Sequence, residues 1–131
     1  MSANTVVENL LTNVPKAVAA GVIDIGTGTF LAIKSNNAHP QNVQDLVPAT
    51  IKAIYEGQTA SNFQKTESAP FEEHFVREAL ISARTHLYVS KRLEKQENII
   101  LVVAAEMDMS NAALFSLVLM KLRDIANQTT I

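Results

Sequence analysis

Few residues in this 131-residue chain could do chemistry, and the sharpest group is Asp24-Ile-Gly-Thr-Gly-Thr29, set between two apolar runs. A carboxylate followed by two glycines lets backbone N–H groups come close to a phosphate, so a nucleotide or small anion is the ligand such a turn would take. The same residues also make an ordinary hairpin turn, because glycine accepts positive φ. The three histidines, His39, His74 and His86, stand in separate regions without the i, i+4 pairing of a metal-binding helix. Glu72-Glu73-His74 has acid/base residue types, but adjacent side chains point in different directions. Lys91, Arg92, Glu94, Lys95 and Glu97 mix signs and read as an exposed hairpin rather than an anion site. The absence of cysteine rules out a thiolate zinc site, a disulfide and a thiol nucleophile. Neither a G-x-S-x-G elbow nor a P-loop occurs. No catalytic, cofactor-binding or metal-ligating residue is therefore assigned, no cofactor is expected, and the chain reads as a non-enzyme.

A formal charge of −2 with scattered Lys and Arg offers no basic patch for counterion release, which argues against nucleic acid. The N-terminus has no basic segment ahead of an apolar one, and no window reaches the roughly 18 apolar residues of a spanning helix. No membrane insertion and a cytoplasmic location are expected.

The elements that would position any site follow from hydrophobic period. Val6, Val7, Leu10, Leu11 and Val14 make a helical stripe, with Ser2 or Asn4 as cap and Pro15 as stop. Residues 16–25 are apolar at odd and even positions alike, as in a strand covered on both faces, and residues 30–33 return as the second arm of a hairpin. Pro40 suits the first position of a helix from Gln41 to Gly57. Val43, Leu46, Val47, Thr50, Ile51 and Ile54 share its apolar face, while Gln44, Asp45, Lys52 and Glu56 fall mostly elsewhere. Pro48 lies inside it and predicts a kink, the alternative being a shorter helix capped by Asp45. Residues 58–74 show no period, which for a connection of that length points to a functional or mobile segment, although Phe63, Phe71 and Phe75 argue against full disorder. Residues 76–84 and 87–93 read as strands, and the β-branched run at 99–105 as an interior strand. A last helix starts near Ser110 or Asn111, with Asp108 or Ser110 as cap and Leu114, Leu117, Val118, Leu122 and Ile125 as its stripe. Phe115, Leu119 and Met120 lie off that stripe, so this helix should also touch the first helix or another subunit.

The order helix, hairpin, helix, three-strand meander, helix resembles the roadblock family of dynein light-chain-like domains, whose fold is similar to profilin. AAGVIDIGTGTFLAI, NVQDLVPATIKAIYEG and NIILVVAAEMDMSNAALFSLVLMKLRDI carry the resemblance, which spans nearly the whole chain. It implies one roadblock-like domain over 1–131, in the broad α/β class (α+β). Its topology would be αββαβββα, with a five-stranded antiparallel sheet ordered 2-1-5-4-3, two helices on one face and one on the other. It further implies a homodimer through the middle helix and third strand, placing Ala49, Ala53, Tyr55, Arg77, Ala79 and Ile81 in the interface. A non-catalytic adaptor or regulator binding a small Ras-like GTPase or a larger complex follows from the same resemblance. The alternative is a small-ligand or nucleotide-sensing module using Asp24–Thr29. That hairpin resembles the phosphate hairpin of the actin, sugar-kinase and chaperone ATPase superfamily, whose two large domains exceed 131 residues.

Overall fold

Every residue of the strand Ile99–Glu106 except the last is buried, whichever face it points to. Such a strand needs a hydrogen-bonded neighbour on each edge and apolar cover above and below. The computed structural model, which describes residues 1–36, 41–57, 76–107 and 112–131, supplies both. Its elements are α1 (Ala3–Asn13), β1 (Ala17–Asp24), β2 (Thr29–Ser35), α2 (Gln41–Glu56), β3 (Glu78–Ser82), β4 (His86–Arg92), β5 (Ile99–Glu106) and α3 (Ala112–Gln128). The strands form one sheet, β2-β1-β5-β4-β3, antiparallel throughout. The expected order, and the central pairing of β1 with β5, are both present. Residues 58–74, Pro40, and the caps Asp108 and Ser110 lie outside the described residues. No helix among the described residues is long and apolar enough to cross a membrane.

Alternation along β5 divides the core. Ile99, Leu101, Val103 and Ala105 join Val6, Val7 and Leu10 of α1 and Leu114, Val118 and Leu122 of α3. Ile100 and Val102 face the other way, against Ile23 of β1 and Ile51 and Tyr55 of α2. Among the described residues, two helices thus cover one face and one helix the other, as expected.

Local chemistry explains the element ends. The Ser2 hydroxyl accepts a hydrogen bond from Thr5 N at 3.2 Å and caps α1. After Pro15 the chain turns through Lys16 at φ +61, whose carbonyl accepts from Glu106 N at 3.0 Å. The ladders on the two sides of β1 each carry one irregularity. Val18 is skipped in the pairing with β5, and Leu31 is the extra residue in the pairing of β2 with β1. Between them, Gly21 lies under the Phe30 ring, where a Cβ would come within 2.5 Å of that ring.

Four expectations are corrected. Helix α2 is continuous through Pro48, but its buried line is Gln44, Pro48, Ile51 and Tyr55, and Leu46 is 67% exposed. Polar anchors at either end of that line set the rotation: Gln44 Nε2 donates to Ser35 Oγ at 2.8 Å, and the Tyr55 and Ser90 hydroxyls bond at 2.8 Å. In α3 the buried line steps by four, Leu114, Val118, Leu122 and Ala126, and leaves Leu117 48% exposed. Ala126 belongs to the core that α1 also enters. Strand β3 is shorter than residues 76–84, with Val76 and Arg77 ahead of it. Finally, Lys91 and Arg92 are buried rather than exposed.

Replacing Leu122 with Ala removes a fully buried side chain from the α3–sheet contact. Urea denaturation of Leu122→Ala should show a loss of about 2–5 kcal/mol.

Candidate partner-binding surface

The rotation of α2 turns part of its apolar stripe away from the sheet. Leu46, Ala49, Thr50 and Ala53, spaced i, i+3, i+4 and i+7, are all exposed and share one side of the helix. Beneath the N-terminal half of α2 an open apolar slot of about 250 Å³ runs toward the sheet edge, lined by Val43, Leu46 and Val47 of α2, Ile81 of β3, Tyr88 of β4 and Val102 of β5. That exceeds the ~150 Å³ of a cavity able to hold benzene, so the slot has room for a bulky apolar group.

The slot opens beside β3, which pairs with β4 and is the edge strand of the sheet among the described residues. β3 contains neither proline nor glycine, and it exposes Leu80 and Ile81. The opposite edge, β2, carries the Leu31 bulge and Lys34, whose ammonium pairs with Glu8 at 2.5 Å. Bulges and lysines blunt an edge against further pairing, and β3 has neither.

Of the residues expected at an interface, Ala49, Ala53 and Ile81 are exposed on this side, and Ala79 is half-buried. Arg77 is half-buried and reaches Glu94 at 3.3 Å and Glu97 at 3.4 Å. Tyr55 is buried within the protomer.

Tyr55 belongs to a cluster that hydrophobic period does not reveal. Arg92, 0% exposed, lays its guanidinium over the Tyr55 ring at 5.2 Å. Its Nε donates to Val76 O at 3.1 Å, Nη1 donates to Glu97 O, and Glu56 Oε1 lies 3.5 Å from Nη1. One side chain thereby ties the end of α2, the lead into β3 and the β4–β5 turn. Burial pulls the Arg92 pKa down, partly opposed by the Glu56 carboxylate. Burial likewise raises Tyr55 to about 12, against the opposing effects of the Ser90 bond and the Arg92 charge. Strand parity held the signal: Tyr88, Ser90 and Arg92 alternate onto the α2 side, while Leu87 and Val89 enter the opposite core.

The Asp24–Thr29 turn is closed on itself. Gly26 N donates to Asp24 Oδ1 and Gly28 N to Asp24 O, each at 2.9 Å. Lys52 Nζ from α2 donates to Gly26 O at 2.8 Å, which staples the turn to the helix. Two amides that a phosphate would need are thus directed inward. His86 is half-buried, with its Nδ1 2.8 Å from Thr85 Oγ1. His39, His74, Glu72 and Glu73 lie outside the described residues. Among the described residues, no group of three His, Asp or Glu side chains is placed to hold a metal ion.

A five-stranded antiparallel sheet of this order, with two helices on one face and one on the other, defines a roadblock-like fold. Solved structures agree. MglB of Myxococcus xanthus superposes with a TM-score of 0.69 at 11% identity, over 95% of this chain and 82% of that one. A Roadblock/LC7 domain from Streptomyces avermitilis matches at 0.61 and 15% identity over 95% of both chains. The gliding protein MglB from Thermus thermophilus matches at 0.61 and 17% identity, over 94% and 82%. The likeness at these identities is one of fold, and it bears out the resemblance read from the sequence. No family model and no curated protein matches the chain.

Tyr55 should resist ionisation well beyond the ordinary value of 10. Because its folded pKa lies above its unfolded one, its contribution to stability is complete below pH 10 and is lost as pH rises through about 12. Absorbance titration of the phenolate in the native chain and in Tyr55→Phe should assign that late transition to Tyr55.

Proposed function

We propose that this protein is a non-catalytic regulatory scaffold that acts as a homodimer and binds a partner protein, a small Ras-like GTPase being the class the roadblock resemblance favours. The observation that carries the reading is the convergence on one side of three unsatisfied features: the exposed Leu46-Ala49-Thr50-Ala53 line, the apolar slot and the unblunted β3 edge. A two-fold axis beside β3 would join two sheets into one of ten strands and bring two α2 helices together over the slots. Ala49 and Ala53 are small enough to let the helices approach, with Ile81 and Ala79 on the strand side. Tyr55 and Arg77 then support this face from within the protomer. The likeness to MglB and to a Roadblock/LC7 domain supports the fold on which the reading rests. The inward-turned amides of Asp24–Thr29 count against the nucleotide-sensing alternative.

Light scattering coupled to size exclusion should give twice the 14.3 kDa chain mass at micromolar concentration. Leu46→Glu and Ile81→Glu should each yield a folded monomer with an unchanged far-UV spectrum. A monomeric parent protein sinks the dimer. Pull-down from the native cell with the parent and with the Leu46→Glu chain tests the partner class, and repeated failure to recover a GTPase removes it.

A further inference from the structure

We infer that docking of residues 129–131, which follow α3, and the setting of the β3 edge are one linked equilibrium, carried through the β4–β5 turn by Gln96 and Arg92. Each residue of this tail is held. Thr129 is buried, with its hydroxyl donating to Ile125 O at 2.6 Å, and Met1 N donates to Thr130 O at 3.1 Å. Ile131 packs against the core shared by α1 and α3. One side chain pairs with its backbone in both directions: Ile131 N donates to Gln96 Oε1 at 2.6 Å, and Gln96 Nε2 donates to Ile131 O at 3.0 Å. A side-chain amide, donor and acceptor at once, here takes the place of a neighbouring strand.

Gln96 lies in the turn between β4 and β5, where its own carbonyl accepts from Ile99 N at 3.0 Å. The next residue, Glu97, offers its carbonyl to Arg92 Nη1. Arg92 then brackets the approach to β3: its Nε donates to Val76 O at 3.1 Å and its backbone N to Arg77 O at 2.9 Å. Tail, turn and edge strand thus form one series of contacts that crosses from the α1–α3 side of the sheet to the α2 side. Arg92 Nη2 already lacks a partner among the described residues. Breaking the Nη1 or Nε bond would strand a second donor of a buried guanidinium, which is costly, so a shift of the turn carries Arg92 and the β3 lead with it. Linkage makes the effect reciprocal: whatever displaces residues 129–131 loosens the β3 edge, and whatever binds that edge tightens the tail. The coupling belongs to the protomer and stands whether or not the protein dimerises or binds a GTPase.

Hydrogen exchange and NMR on the full chain test it, with parent and variants compared where light scattering gives them the same mass. Gln96→Ala removes both bonds to Ile131, and Gln96→Glu sets a carboxylate against Ile131 O. In each, the β3 amides bonded to β4 and the Arg92 Nε–H should exchange about three- to tenfold faster, while β1 and β2 amides keep their parent rates. In the reverse direction, Arg92→Lys should speed exchange of the Thr130 and Ile131 amides by a similar factor. Acceleration confined to residues 93–98 and 129–131, or equal acceleration in every strand, overturns the linkage. A folded Arg92→Lys with unchanged tail amides overturns it as well; should that variant not fold, the two Gln96 variants decide.

Discussion

The central strand β5 is apolar on both faces, and most of the architecture follows from covering it. Once β1 and β4 satisfy its backbone, Ile99, Leu101 and Val103 require one helical layer and Ile100 and Val102 another. α1 and α3 together fill the first side generously. Among the described residues the second side receives one helix, which does not cover the width of five strands. α2 buries Ile51 and Tyr55 over the centre and leaves its own N-terminal half above an unfilled slot. Among the described residues, the slot is thus the shortfall of one helix against a wide sheet.

Arg92 shows how that incomplete layer is held in place. A buried guanidinium is costly unless its donors are used and its charge is compensated. Here two backbone carbonyls accept from Nε and Nη1, an aromatic face lies against it and a carboxylate stands at 3.5 Å, while Nη2 has no hydrogen-bond partner among the described residues. The carbonyls come from Val76, at the entry to β3, and Glu97, in the following turn. The end of α2 and the start of the edge strand therefore share one anchor. Disturbing either would be felt at the other, which suits a surface assembled from both.

The fold was largely legible because it is written in period and order. The two-sided apolar runs of β1 and β5 marked the sheet centre, and Ser2, Pro15 and Gly57 bounded the first two helices. What escaped was rotation and polarity. The apolar stripe Val43-Leu46-Val47-Thr50 on α2 looked like a core face, yet polar bonds from Gln44 and Tyr55 turned the helix about its axis. A hydrophobic count does not register such anchors. Arg92 was missed for a related reason: in a run of mixed charges, only strand parity separates a buried arginine from an exposed one. Ala49, Ala53 and Ile81 are exposed, and the glycine turn that looked most like chemistry is stapled to α2 by Lys52.

The irregularities in the two ladders that flank β1 bear on how the sheet keeps its alignment. A strand with one polar face resists sliding, since a one-residue slip would bury its polar side chains. Residues 17–23 of β1, Ala-Val-Ala-Ala-Gly-Val-Ile, have no such safeguard, because both faces carry similar small apolar groups. The skipped Val18 and the extra Leu31 act as notches on opposite edges, and the Phe30 ring lies over Gly21, where a Cβ would meet it. Displacing the strand by one position would have to undo all three at once. The hairpin is therefore keyed by backbone shape where side-chain contrast is absent.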